Sequence, residues 1–506
     1  MDGIRKLELA AFTSGASVMV VEILGSRLLA PYFGSSTYVW SALIGVILAS
    51  LSIGYYLGGK EADKNPSEKK LSTIMLSSAV LVSAIPFIAP YIAGLAMLTG
   101  YRIGPLFYAT IVFSIPNVLM GMVPPYTIKL AAGNLGKIGS VAGDLYAMST
   151  VGSIAGTLLC GFVLVPLMPI TAIFIGVAAA LLIAGILVGR PSKYIILFCI
   201  AASLIVAFSA RTSGSENDIL YKDKNVLYDK YSPYQRIVVY DDPRGMTRTM
   251  RLDVSFSGVV KLRNNLTAGY YANYYELPFV FRPNTTTVYM AGEGTGIGAK
   301  QIKISHPKAE VLITEIDEEV RIAAARFFNI QEGNGLSVEI GDSRQLLKQS
   351  ERTYDLVIID VFTSMFSIPT HFTTAEFYGE AKSRLTPGGI LEINIISTLD
   401  EDALFLKSLC RTVGSKFPHV YLYRVAGSAQ RTQLQNVILL ASENPLELSP
   451  DAKIGEYETQ LFDEKQLTGM LNHRIEDFNC SDGMLLTDDY SPTDYLIEPL
   501  MDRVFH

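Results

Sequence analysis

Hydrophobic positions are distributed so unevenly along this chain that it reads as two halves. Up to about residue 210, apolar residues come in blocks long enough to cross a hydrocarbon core, which takes roughly 20 residues. The blocks are 7–25, 38–59, 72–98, 103–123, 142–168, 170–189 and 192–210, which predicts about seven spans within a helical region 1–211. The first block is long, carries Glu22, is followed by Arg27 and leads into another apolar run, unlike a cleaved signal peptide. A helix break is expected at Val123-Pro-Pro-Tyr-Thr-Ile128. After Arg211 the hydropathy falls, and a linker is expected over 212–225, including Thr212-Ser-Gly-Ser-Glu-Asn-Asp218. From Val226 to about Phe281, short runs of Val, Tyr and Leu alternate with turn residues, as in Arg236-Ile-Val-Val-Tyr-Asp-Asp-Pro-Arg-Gly245. That pattern predicts hairpins and a small antiparallel β domain over 226–285. From 286 to 506, strands at Val288–Met290, Val311–Glu315, Ser337–Ile340, Leu356–Ile359 and Ile390–Ile395 alternate with helical patterns. This implies an α/β Rossmann-like domain with a mostly parallel sheet and a C-terminal extension.

Composition sharpens the division. Of 506 residues, 49% are hydrophobic and only 18% charged, with a positive mean hydropathy. That is too apolar for one soluble domain, and the excess lies in the first half. A net charge of −6 and the lack of a lysine/arginine stripe with interleaved aromatics argue against a nucleic-acid partner. The cysteines Cys160, Cys199, Cys410 and Cys480 are scattered, and their spacing suggests neither a metal site nor a disulfide framework. Lysines and arginines cluster at the N-terminus and in the loops on the same side of the spans, at Lys60, Lys64, Lys69, Lys70, Lys129, Lys137, Arg190 and Lys193. The positive-inside rule then places the N-terminus in the cytoplasm. Seven spans would put the second half outside, whereas an adenosyl ligand made in the cytoplasm requires the second half there. The latter is taken as the expectation. Glu22, Arg27, Asn117 and Asp144 should face the bundle interior or an interface, holding helices together or lining a polar cavity. Gly152-Ser-Ile-Ala-Gly156 is a helix-packing pattern.

The candidate chemistry begins at Val288-Tyr-Met-Ala-Gly-Glu-Gly-Thr-Gly-Ile-Gly-Ala-Lys300 and Ile313-Thr-Glu-Ile-Asp317. Strand, glycine turn, helix, strand and acid in that order are how a Rossmann-like sheet holds an adenosine-containing ligand. Gly292, Gly294 and Gly296 let the backbone turn and approach the ligand, Glu293 lies among them, and Glu315 can accept the ribose hydroxyls. Asp317, Asp342 and Asp360 also fall at carboxyl ends of predicted strands, where ligands of such sheets bind. Asp342 is expected near an adenine amino group and Asp360 near the reactive end. A single acid at a strand end is usually a cap; four in register point to a site.

These residues resemble the polyamine aminopropyltransferases, the spermidine synthases, and the whole chain resembles their membrane-fused relatives. The resemblance rests on Glu22-Ile-Leu-Gly-Ser-Arg-Leu-Leu-Ala-Pro-Tyr-Phe-Gly34, Ser232-Pro-Tyr-Gln-Arg-Ile237, Leu252-Asp253, Asp360-Val-Phe, Ile368-Pro-Thr-His-Phe-Thr-Thr-Ala-Glu376 and Leu486-Thr-Asp-Asp-Tyr-Ser-Pro492. It implies a fold of the class I S-adenosylmethionine type. It also implies transfer of an aminopropyl group from decarboxylated S-adenosylmethionine to an amine, a polyamine or a lipid headgroup, at a bilayer-embedded enzyme with no metal. Asp360 matches the catalytic acid, Gln235 a residue near donor and acceptor, and Tyr274 the tyrosine of the amine-pocket motif Tyr274-Tyr-Glu276. Thr363, His371, Asp488 and Asp489 are further substrate-side candidates, and a homodimer is an open expectation.

Three departures matter. Thr295 stands where the family carries an Asp that seats the donor's amine, Thr363 where a second acid is usual, and Tyr270-Tyr271 where an acidic pair precedes the tyrosine motif. Gly-x-Gly-Thr-Gly is what S-adenosylmethionine methyltransferases carry, so methyl or aminocarboxypropyl transfer from the intact donor stays open. So do a transporter with a nucleotide-sensing module and a scaffold with a degenerate enzyme fold. Asp488 and Asp489 are either a solvated turn or a source of the missing carboxylates.

Overall fold

The computed structural model describes residues 3–132, 138–189, 197, 221, 223–264, 266–267, 271–362, 365–427, 430–448 and 461–505. Two compact units are present, the first made mainly of Met1–Asp223 and the second mainly of Arg236–Val504.

In the first unit, six helices are long and apolar enough to cross a membrane: Gly3–Phe33, Thr37–Lys64, Glu68–Met97, Ile103–Ala131, Ile138–Leu167 and Ile170–Gly189. The seventh expected span lies, but for Leu197, outside the described residues, as does the polar segment 212–218. Leu48, Ile53, Ile115, Leu158 and Phe162 are exposed, as expected of side chains that a hydrocarbon surrounding would cover. Gly152 and Gly156 lie against the first helix, where a Cβ at Gly156 would come within 2.5 Å of the Ala16 carbonyl oxygen. Asn117 is buried and its Nδ2 donates to the Phe113 carbonyl at 2.8 Å, while Asp144 is exposed near the start of the fifth helix.

The break expected at 123–128 does not occur, because the fourth helix runs through Pro124 and Pro125 to Ala131. A proline lacks the N–H that would bond the carbonyl four residues back, so Pro124 frees the Met120 carbonyl. Ser14 Oγ of the first helix donates to that carbonyl at 2.8 Å, and Thr127 Oγ1 donates to the Pro124 carbonyl at 2.8 Å. Hydroxyls of this kind let a proline-bearing helix continue in an apolar bundle.

The second half contains a four-stranded antiparallel sheet in the order β1-β2-β3-β4, formed by β1 (Asn225–Tyr231), β2 (Arg236–Asp242), β3 (Thr247–Leu252) and β4 (Ser255–Lys261). Ile237, Val239 and Met250 of this sheet share one core with Tyr275, Val288 and Ile358. The principal sheet has eight strands: β5 (Thr287–Ala291), β6 (Glu310–Glu315), β7 (Leu336–Ile340), β8 (Tyr354–Ile359), β9 (Leu385–Ser397), β10 (His419–Arg424), β11 (Gln435–Ser442) and β12 (Arg474–Ile475). Their order is β12-β10-β11-β9-β8-β5-β6-β7. β5 pairs in parallel with both β6 and β8, so the chain leaves β5 toward one edge and returns on its other side at β8. That reversal is where an open α/β sheet forms its ligand crevice. β9 is parallel to β8, whereas β11 and β10 add an antiparallel extension.

The cysteine expectation is corrected. Cys410 and Cys480 form a disulfide, with a Cα–Cα distance of 5.5 Å across 70 residues of sequence. Spacing concealed the pair because the C-terminal segment folds back onto the helix Leu404–Gly414. There Arg411 donates to the Gly483 carbonyl, and the backbone N–H of Met484 and of Leu486 donate to Ser408 Oγ and Thr412 Oγ1.

Candidate active site

The glycine turn after β5 is shaped by close approach. Gly292, Gly294 and Gly296 all have positive φ, at 90°, 52° and 68°, a region open to glycine at little cost. A side chain at Gly292 would strike the Asp360 carbonyl, and one at Gly294 would strike Ser257 Oγ of β4. β4 thus lies over the turn: a Cβ on its Gly258 would run into Thr295, which is buried.

Glu315 ends β6 beside the turn. Its Oε2 accepts from the Glu293 N–H and its Oε1 from the Asp317 N–H, both at 3.0 Å, and burial raises its pKa above the usual carboxylate range. Glu293 is buried with Oε1 on Arg321 at 3.0 Å, while its Oε2 has no hydrogen-bond partner among the described residues. Burial outweighs the pull of Arg321 and pushes the Glu293 pKa to about 8. Glu293, whose Oε2 lacks a partner among the described residues, and the strand-end Glu315 flank this turn and are the groups that would meet an adenosine-bearing ligand.

Asp360 follows β8, next to Gly292. Tyr275 donates its hydroxyl to Oδ2 at 2.6 Å and Asn394 its Nδ2 to Oδ1 at 2.8 Å. Asn436 in turn donates to Asn394 Oδ1 at 2.9 Å, which fixes the amide's orientation. Burial raises the Asp360 pKa, while the Tyr275 and Asn394 bonds oppose the rise. Tyr271 packs edge-on to Tyr275, with ring centroids 6.2 Å apart.

The tyrosine reaching the acid is therefore Tyr275, not Tyr274. Tyr274 points the other way, its hydroxyl 2.6 Å from His473 Nδ1 and 3.0 Å from the Arg424 carbonyl. Its neighbour Glu276 is held by His306 at 2.7 Å. The 3-10 turn Tyr271–Glu276 rotates consecutive residues by about 120°, so the motif's position in sequence did not reveal which ring faces the site. Neither Tyr275 nor Asn394 was singled out from sequence. The available signal for Asn394 was a pair of polar residues, Glu392 and Asn394, inside an otherwise apolar strand.

The remaining candidates separate. Asp317 caps the helix Glu318–Phe328 through the Glu319 N–H. Asp342 caps the helix Ser343–Gln349 through the Gln345 N–H at 2.9 Å, and its other oxygen lies 3.4 Å from His371 Nε2. Burial lowers the His371 pKa. Asp488 lies exposed on the turn Thr487–Tyr490 and is nevertheless paired. Arg344 clamps both its oxygens at 2.8 Å, and Thr374 donates to one of them at 2.7 Å. Asp489 is exposed on the turn Thr487–Tyr490. Gln235 sits in the turn before β2, its N–H donating to Ser232 Oγ at 3.0 Å, and Thr363 lies outside the described residues. Among the described residues no group of three or more His, Cys, Asp or Glu is placed to hold a metal.

Residues 270–444, which hold the turn, Glu315 and Asp360, match the spermine/spermidine synthase domain family. A probable polyamine aminopropyl transferase of Bifidobacterium longum is 24% identical over 219 residues, 43% of this chain and 48% of the relative. The chain therefore spans about half the length of that relative. A polyamine aminopropyltransferase of Vibrio vulnificus is 24% identical over 311 residues, 60% of this chain and 98% of the relative. Polyamine aminopropyltransferase 2 of Aquifex aeolicus is 22% identical over 413 residues, 76% of this chain and 78% of the relative. That last alignment is longer than the whole segment after residue 211, so it extends into the helical half. Among solved structures, a probable spermidine synthase from Corynebacterium glutamicum is 17% identical with a TM-score of 0.43, covering 53% of this chain and 97% of its own. The chain carries a spermine/spermidine synthase domain, and its homologues are polyamine aminopropyltransferases.

Proposed function

We propose that the protein is a membrane-anchored aminopropyltransferase that moves the three-carbon amine of a decarboxylated S-adenosylmethionine-type sulfonium to an amine acceptor. The observation that carries this reading is the placement of Asp360: a partly buried carboxylate, oriented by two donors, beside a glycine turn at the reversal of the sheet. The sulfonium supplies an activated carbon; what remains for the protein is to deprotonate the incoming ammonium and to align it. Asp360 accepts that proton. Tyr275 and Asn394 hold both its oxygens, so its basic lone pairs keep a fixed direction. The amine nitrogen then forms the C–N bond as the C–S bond breaks and the thioether leaves. Burial, by raising the carboxyl's proton affinity, makes it a stronger base than a solvated aspartate. Glu293 and Glu315 would meet the adenosine end at the glycine turn. The six apolar helices would hold the enzyme in the bilayer, and an adenosyl donor made in the cytoplasm requires the catalytic domain on that side.

The test is turnover by the full-length protein in detergent with the decarboxylated and the intact donor in parallel, with Asp360→Asn alongside. Amine alkylation with the decarboxylated donor, reduced 10²–10⁴-fold in the variant, is expected. Methyl transfer from the intact donor alone would replace this reading by the one that Gly-x-Gly-Thr-Gly suggests.

A further inference from the structure

A cavity of about 640 Å³ lies between the helix Ile297–Ser305 and the loop that leads into β7, and the chemistry above makes no use of it. Ile304, Ile330 and Leu336 form its apolar wall, and Lys300, Lys303 and Gln331 are among its polar lining. The loop's path is specified by its own residues. Asn329, Gly333, Asn334 and Gly335 have positive φ, at 57°, 117°, 52° and 81°, a region that asparagine and glycine enter more readily than other residues.

The two lysines stand one turn apart on the helix, where like charges repel. Among the described residues their hydrogen bonds go to main-chain carbonyls. Lys300 Nζ donates to Phe328 at 3.4 Å, and Lys303 Nζ donates to Pro307 at 2.8 Å and to Ala309. Carbonyls near helix ends attract lysines, which accounts for these bonds but leaves both charges uncancelled. Burial lowers both pKa values, with Glu310 opposing the fall at Lys303. Glu332, the acid of the loop, is taken by Arg321 at 3.3 Å. An ammonium has three N–H donors, so two remain on Lys300 and one on Lys303.

The same loop supports the glycine turn. A Cβ at Gly296 would come within 2.6 Å of Ile330 Cγ1, so the cavity wall and the turn share one contact. The Ile330 carbonyl accepts from Arg321 Nη1 at 3.1 Å, and that nitrogen also donates to Glu293 Oε1 at 3.0 Å. A shift of Ile330 is therefore felt both at Gly296 and, through Arg321, at Glu293.

We propose that this cavity is an effector site for a nucleotide-sized phosphate ester, its phosphates held by Lys300 and Lys303 and its apolar part by Ile304, Ile330 and Leu336, and that occupancy is transmitted through Ile330 to the glycine turn. Phosphate oxygens accept the spare N–H donors and cancel the adjacent positive charges. The site stands apart from Asp360 and does not depend on which group the enzyme transfers.

Calorimetric titration of the full-length protein in detergent, at fixed ionic strength, tests it with inorganic pyrophosphate, uridine 5′-diphosphate and uridine, probes without an adenine. Wild type is compared with the double variant Lys300→Gln, Lys303→Gln, whose thermal melt without ligand should match wild type. Pyrophosphate and the diphosphate should bind wild type, the diphosphate more tightly, and uridine should not. The double variant should weaken both by roughly tenfold or more. With saturating pyrophosphate, amide exchange over 292–298 should slow by roughly threefold or more in wild type and stay unchanged in the variant. No binding of pyrophosphate by wild type, equal affinity in the double variant, or uridine binding as tightly as its diphosphate would overturn the site. Binding without any change in exchange over 292–298 would overturn its link to the glycine turn.

Discussion

At the scale of the residue, the site is defined by which oxygen each donor reaches. Tyr275 and Asn394 each hold one oxygen of Asp360, whereas Tyr274 is turned to His473. Tyr275→Phe should therefore lower kcat by roughly ten- to a hundredfold, because a charged acceptor loses a hydrogen bond worth about 1.5–3 kcal/mol. Tyr274→Phe should leave kcat within about twofold, and steady-state kinetics of the two variants side by side makes the comparison. Glu293 gives a pH prediction. Its carboxyl binds its proton more tightly folded, near pH 8, than unfolded, near 4.5. The folded state thus holds the extra proton between those values, and stability falls as pH rises through that window. Thermal unfolding of wild type against Glu293→Gln should show a gap in favour of the glutamine variant that is small below pH 4.5 and widens up to about pH 8.

At the scale of the element, helix and turn packing determine whether those residues meet. Gly298, in the first turn of the helix Ile297–Ser305, lies where a Cβ would come within 2.6 Å of Tyr275 Cε2. Gly298→Ala should push the ring away from Asp360 and cut kcat at least tenfold while donor affinity by calorimetry stays within about threefold. The elements themselves are largely legible, because parallel strands, four of them ending in glycines or acids, impose a pattern that survives in sequence. β5 to β9 appear where apolar runs predict them. What escaped prediction has a physical reason in each case. β10–β12 pair antiparallel across long connections, so their partners are not set by local spacing. Glu392 and Asn394 were read as one strand's apolar run because a central strand is buried on both faces. The fourth helix was expected to break because the hydroxyl that completes it, Ser14, comes from another helix.

At the scale of the whole chain, the helical and sheet-bearing halves obey different packing rules. In the first, glycines bring helix backbones together, as at Gly156 against Ala16; in the second, buried strands and a disulfide do the work. Closing a 70-residue separation restricts the unfolded chain by on the order of 4 kcal/mol. Reduction, or Cys410→Ser with Cys480→Ser, should lower the melting temperature of the protein by several degrees, as differential scanning fluorimetry with and without reductant would read.

That same bridge keeps a record of geography. Thiols stay reduced in most cytoplasms and pair on the far side of the membrane, so the redox state of Cys410 and Cys480 in the living cell reports which way the catalytic half faces. Alkylation in acid-quenched cells, followed by mass analysis, reads it directly. Two blocked thiols place the domain beside the metabolism that makes adenosyl donors; an intact bridge places it outside, where the acceptor and the donor alike would have to be delivered.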